Sequence, residues 1–135
     1  MLRLMADNNV EGHLNAIIRF LRSGLWEEFW EKAAVTLVTL RELGLERNSP
    51  DLTIWQVCQS RQVVLFTANR NKEGPESLEE AIRTLNRPDS LPVITIGDLT
   101  RFKHDRPYAE QAALKLLDYL LDIEKYRGTG RLYIP

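Results

Sequence analysis

A chain of 135 residues, 44% hydrophobic and 27% charged, is about one domain's worth and can bury roughly two thirds of its unfolded surface without a metal or disulfide staple. Eighteen basic against 19 acidic residues leave a net charge of -1, which excludes a globally basic nucleic-acid binder and confines any such partner to a local patch. The single cysteine, Cys58, excludes an internal disulfide; no run approaches the ~20 apolar residues of a membrane span, and Met1 to Asp7 is too short and too soon acidic for a signal peptide, so a cytoplasmic protein with no membrane partner is expected.

Leu2-Arg3-Leu4-Met5-Ala6 reads as a buried strand running into the polar turn Asp7-Asn8-Asn9. Val10, Leu14, Ile17, Ile18 and Leu21 then recur at helical spacing, with Asn9 as the expected cap and Ser23-Gly24 as the stop. Trp26, Phe29, Trp30 and Ala33 keep that period, whereas Val35 to Leu40 is rich in β-branched residues, so a short helix followed by a short strand is expected. Ser49-Pro50-Asp51 reads as a helix start, with Ser49 as cap, Pro50 at the first helical position and Asp51 near the positive end of the dipole. Leu52, Trp55 and Cys58 or Gln59 form its inward face, and Cys58 reads as a small core residue rather than a reactive thiol.

Gln62 to Thr67 is a continuous apolar run of the kind covered on both faces in a parallel sheet, ending at Ala68-Asn69-Arg70-Asn71. Glu73-Gly74-Pro75 breaks the chain, and Ser77 with Glu80 makes a capping box for a helix to about Leu85. Pro92 to Ile96 is a second buried strand, with Gly97-Asp98 as its exit. The last helix is expected from Arg106 to Tyr126, burying Ala112, Leu116 and Leu120 and leaving Leu114 or Leu121 partly exposed, and Leu132-Tyr133-Ile134 adds an edge strand. Helices alternating with apolar strands over residues 1–135 predict a single three-layer α/β domain with a mostly parallel central sheet.

In such sheets, sites form beyond the carboxyl ends of the strands. Asp7, then Asn69 and Asn71, then Asp98 follow three of the expected strands, and Asp51 opens a helix that starts at the same edge, so Asp7, Asp51, Asn69 and Asn71 are expected to converge on one crevice. Oxygen donors of this kind suit Mg²⁺ or Mn²⁺, with Asp7, Asp51 and Asp98 as candidate metal ligands. Asp and Asn are equally the residues that turns and helix caps select. The same edge carries Arg70 and Lys72 after one strand and Arg101, Lys103 and Arg106 after the other, a candidate seat for an RNA backbone, with Phe102 or Tyr108 available for base stacking. Neither His13 nor His104 has a partner at metal-ligand spacing, and no phosphate-loop, dinucleotide or nucleophile-elbow motif is present.

Three segments taken together resemble the PIN-like superfamily, in particular small bacterial PIN-like proteins related to the ribonucleases of toxin–antitoxin modules. Leu4 to Val10 is similar to the opening strand and its acidic turn. Arg41-Glu42-Leu43-Gly44-Leu45 followed by Ser49-Pro50-Asp51 is similar to the approach to the acid that starts the central helix, and Val63 to Asn71 to the strand that ends in an Asp-bearing turn. The resemblance covers the first half of the chain and implies a divalent-metal site for phosphodiester hydrolysis, with Asp7 and Asp51 retained. Asn8 stands where the family has Glu, and Asn69 and Asn71 where it has aspartates. An amide ligates a hard cation more weakly than a carboxylate and cannot serve as a base. The implied protein is thus a descendant of metal-dependent ribonucleases with weakened or lost cleavage. The alternative is a non-catalytic interaction or nucleic-acid-binding module that self-associates through its C-terminal helix.

Overall fold

The computed structural model describes residues 2–68 and 77–135. Five strands, β1 (Leu2–Ala6), β2 (Val35–Val38), β3 (Val63–Thr67), β4 (Val93–Ile96) and β5 (Arg131–Ile134), form one sheet in the order β2-β1-β3-β4-β5. Every neighbouring pair is parallel. Helices α1 (Glu11–Leu21), α2 (Glu27–Ala33), α3 (Asp51–Ser60), α4 (Leu78–Leu85), α5 (Leu99–His104) and α6 (Arg106–Leu121) connect the strands.

The period of two along the strands sorts their side chains into two cores. Leu4, Val64, Phe66 and Ile94 point toward α1 and α6, where they meet Leu14, Ile18, Leu116 and Leu120. Met5, Val63, Leu65 and Val93 point the other way, onto Ile54, Trp55 and Cys58 of α3 and Ala81 of α4. Both β3 and β4 are buried along their whole length, which is why they read as unbroken apolar runs. The result is a three-layer α/β domain with an all-parallel sheet.

Several boundaries differ from the sequence expectation, each for a local reason. Asn9 caps nothing: Asp7 accepts the Asn8 N–H at 2.8 Å and opens a short 3₁₀ turn over Asn8–Val10, so α1 starts only at Glu11. Pro50, not Ser49, is the residue before α3, and Asp51 is the first helical residue; the Ser49 hydroxyl turns back to accept the Glu46 N–H at 2.9 Å. The capping box of α4 is half formed, because the Ser77 hydroxyl accepts the Glu80 N–H at 3.2 Å while the Glu80 carboxylate pairs with Arg83. Asp98 caps an additional short helix, α5, and Asp105 caps α6, breaking the chain between them. The last helix ends at Leu121 and passes into a 3₁₀ turn over Ile123–Tyr126 rather than running unbroken to Tyr126.

The strand order reverses direction between β1 and β3, one of them leading outward to β2 and the other to β4 and β5. In doubly wound sheets this reversal opens a crevice at the carboxyl edge, because the crossovers on either side leave on opposite faces.

Candidate functional site

A crevice of about 370 Å³ lies at that point. Its wall is built from the β1 exit (Asp7, Asn8, Asn9), the β3 exit (Thr67, Ala68), the loop into α3 (Arg47, Ser49), the first turn of α3 (Asp51, Ile54) and Leu99 of α5. Asp7 continues the β1–β3 ladder by one rung, its N–H donating to the Phe66 carbonyl at 2.8 Å. The backbone therefore fixes where its side chain starts. The carboxylate is then held at both oxygens, Oδ1 accepting the Asn8 N–H at 2.8 Å and Oδ2 accepting the Thr67 hydroxyl at 3.0 Å.

Asp51 reaches the same crevice from the opposite wall. Its Oδ2 accepts the Leu78 N–H at 3.2 Å, tying the start of α3 to the start of α4. Each carboxylate oxygen offers two lone pairs, so these bonds orient the groups and leave acceptor capacity for a ligand. Beneath them the sheet is polar on the α3 side: Thr67 and its register partner Thr95 are both completely buried. Cys58 of α3 packs close enough for the Asp7 charge to act on it. Burial first, and that charge second, push the Cys58 thiol up to about 12 from an ordinary value of 9.0. The thiol is a neutral core group, as expected.

Of the residues expected to converge, Asp7 and Asp51 do share one crevice. Asn69, Arg70, Asn71 and Lys72 lie outside the described residues. Asp98 is not on the crevice wall; its Oδ1 accepts the Arg101 N–H at 2.9 Å as the cap of α5. Arg101, Lys103 and Arg106 are exposed on α5 and α6, but two of the three are engaged. Arg101 donates to Asp105 at 3.0 Å and lies 4.7 Å from the Tyr108 ring centroid, and Arg106 donates to Glu110 at 3.1 Å. The aromatic residues are occupied too: Tyr108 is buried under Arg101, and Phe102 is half-buried, edge-on to His13 at 5.3 Å. Tyr108 therefore offers no free face to a base, contrary to the sequence expectation, whereas Phe102 keeps part of its surface open beside Arg106.

Three polar wall residues, Thr67, Ser49 and Arg47, were not among the candidates the sequence offered. Thr67 was legible as the one hydroxyl ending an apolar strand. Ser49 read only as a cap, and Arg47 carried no signal beyond being a charge in a loop.

Among the described residues no group of three or more His, Cys, Asp or Glu side chains could hold a metal ion. Two carboxylates with amide and hydroxyl neighbours still fit Mg²⁺ or Mn²⁺, since such ions are commonly bound by one or two carboxylates, waters and a substrate phosphate rather than by a full protein cage. No protein-family profile, no curated protein and no solved structure matches this chain.

Proposed function

We propose that this chain is a PIN-like protein derived from metal-dependent ribonucleases, holding Mg²⁺ or Mn²⁺ through Asp7 and Asp51 and binding RNA with little or no cleavage. The observation that carries the reading is the convergence of those two aspartates, from separate elements, at the switch point of the sheet. A divalent ion supplies a nucleophilic hydroxide at neutral pH and offsets charge on a phosphate. The chain's own contribution is to fix its two carboxylates through the Asn8 N–H, the Thr67 hydroxyl and the Leu78 N–H. The described wall offers no other acid and no histidine, so once both aspartates hold an ion no described group is left to take a proton. Weak turnover follows from that shortage.

Calorimetric titration of the chelator-treated protein with Mn²⁺ tests the reading. Saturable binding that Asp7→Asn and Asp51→Asn each abolish supports it, and affinity indifferent to both substitutions rejects it. Robust RNA cleavage abolished by Asp7→Ala would show a competent enzyme and overturn the claim of weakened activity. The second reading, a non-catalytic module, is favoured by the same low carboxylate count and predicts no Mn²⁺ binding at all.

A further inference from the structure

The two outer strands of the sheet are protected to different degrees. β5 runs into Pro135, which cannot extend a ladder, and its Tyr133 carbonyl accepts the Tyr119 hydroxyl at 3.3 Å. β2 has neither device: β1 is its one strand neighbour among the described residues, and residues 33–40 contain no charge, no proline and no glycine. An edge strand turns backbone N–H and C=O groups outward, and an uncharged, β-branched one is the pattern that adds a strand from another chain.

The register of Leu2 with Val35 and Leu4 with Leu37 turns Val35 and Leu37 toward the α1 side of the sheet, where Leu37 is 41% exposed. Beside them lies a cavity of about 430 Å³, walled by Arg22 just past α1, by Glu27, Trp30 and Glu31 of α2, and by the strand itself. The side chains of Arg22, Glu27 and Glu31 are exposed and form no ion pair or hydrogen bond among the described residues. A wall that carries both signs unpaired, next to an uncharged strand, is complementary to its own image.

A two-fold axis normal to the sheet sets an edge strand antiparallel to its copy and keeps the α1 face of both on one side. Centred on Thr36, it pairs Val35 of each copy with Leu37 of the other, two apolar side chains on the same face. A ladder of four residues falls far short of the roughly 800 Å² per partner of a standard interface, so the wall of α1 and α2 must be covered with it. We propose that the protein is a two-fold homodimer whose β2 strands pair antiparallel into one continuous sheet, with Arg22 of each copy against Glu27 and Glu31 of the other. The seam shares no lining residue with the crevice of Asp7 and Asp51.

Sedimentation velocity of the full chain should show a dimer at high micromolar concentration that dissociates on dilution. Hydrogen exchange read by mass spectrometry should slow within residues 35–38 as the dimer forms. Leu37→Lys, which sets like charges beside the two-fold axis, should raise the dissociation constant about tenfold or more. Arg22→Glu should do the same, and so should Glu27→Lys combined with Glu31→Lys, because each leaves only like charges across the seam. An equimolar mixture of these two charge variants should recover the dimer, since both contacts regain opposite signs, and that recovery separates a lost contact from a lost fold. A chain that stays monomeric at high micromolar concentration overturns the inference, as does a dimer indifferent to Leu37→Lys and to both charge variants. A dimer whose exchange at residues 35–38 matches that of the monomer rejects the strand pairing.

Discussion

Thr67 is the residue on which the crevice geometry turns. It ends β3 fully buried, and its hydroxyl is, among the described residues, the one side-chain donor to Asp7, so it both satisfies itself and aims a carboxylate. Thr67→Val keeps the shape and removes the donor, leaving one oxygen of the part-buried Asp7 carboxylate short of a partner. The expected cost is about 1 to 3 kcal/mol in chemical denaturation, together with weaker Mn²⁺ binding, and Thr67→Ser should restore most of both. A Val variant as stable as the parent, with unchanged Mn²⁺ affinity, would mean that Asp7 is oriented by its backbone alone. Cys58, on the helix beneath, makes a second residue-scale prediction. Its thiol is protonated in the folded state up to about 12 but titrates near 9.0 when unfolded. Folding therefore keeps a proton that the unfolded chain loses, and this contribution is complete below pH 9 and disappears as pH rises toward 12. Cys58→Ala should destabilise at pH 7 through the cavity it leaves, and the gap between the two proteins should narrow steadily above pH 9. A gap constant with pH would show that Cys58 titrates normally. At pH 7 to 8 alkylation of the native thiol should run about a thousandfold slower than in denaturant, following the thiolate fraction alone.

At the level of elements, the connections are held by side chains that imitate a strand. Gln59, late in α3, donates to the Leu91 carbonyl at 2.8 Å and accepts the Leu91 N–H at 2.9 Å, so one amide satisfies both backbone groups of a buried residue just before β4. Gln59→Leu would fill the same space while stranding both groups, and should cost about 2 kcal/mol or more in denaturant titration. Indifference to that substitution would show that water reaches the Leu91 backbone. This pairing explains why Cys58 and Gln59 compete as inward residues of α3: the sequence period places both near the core, and only the position of Leu91 reveals that the glutamine is there for its hydrogen bonds. Strands β3 and β4 were legible because burial on both faces writes itself as an apolar run, and β1 as a short, mostly apolar stretch before a polar turn. Helix starts were legible as places and not as roles, since Ser, Asp and Asn cap, turn and ligate with the same oxygen. Ser77 and Asp98 cap helices, Ser49 braces a loop, and Asp7 serves both a turn and a crevice.

For the molecule as a whole, alternation of helices and strands foretold the parallel sheet, and the parallel sheet foretold that Asp7 and Asp51 meet. Strand order was not legible, because period and composition place a residue inside or outside without naming the neighbouring strand. The place of Arg47 on the crevice wall followed from that order, since the loop before α3 lies beside the gap between β1 and β3. The same global packing bears on self-association through the last helix. α6 lies between α1, α2 and α5, and it buries Ala112, Ala113, Leu116, Leu117, Tyr119 and Leu120, leaving Leu121 at 36% exposure and Leu114 half-buried, as its spacing predicted. A standard interface removes roughly 800 Å² from each partner, several times what one part-exposed leucine and its neighbour offer. The helix spends its apolar face inside its own domain. Leu121→Lys should accordingly leave both the sedimentation coefficient and its concentration dependence unchanged up to high micromolar protein, with a change in stability within about 0.5 kcal/mol. A dimer that this single charge dissociates would show instead that α6 is the seam, and would favour the interaction-module reading over the nucleic-acid crevice.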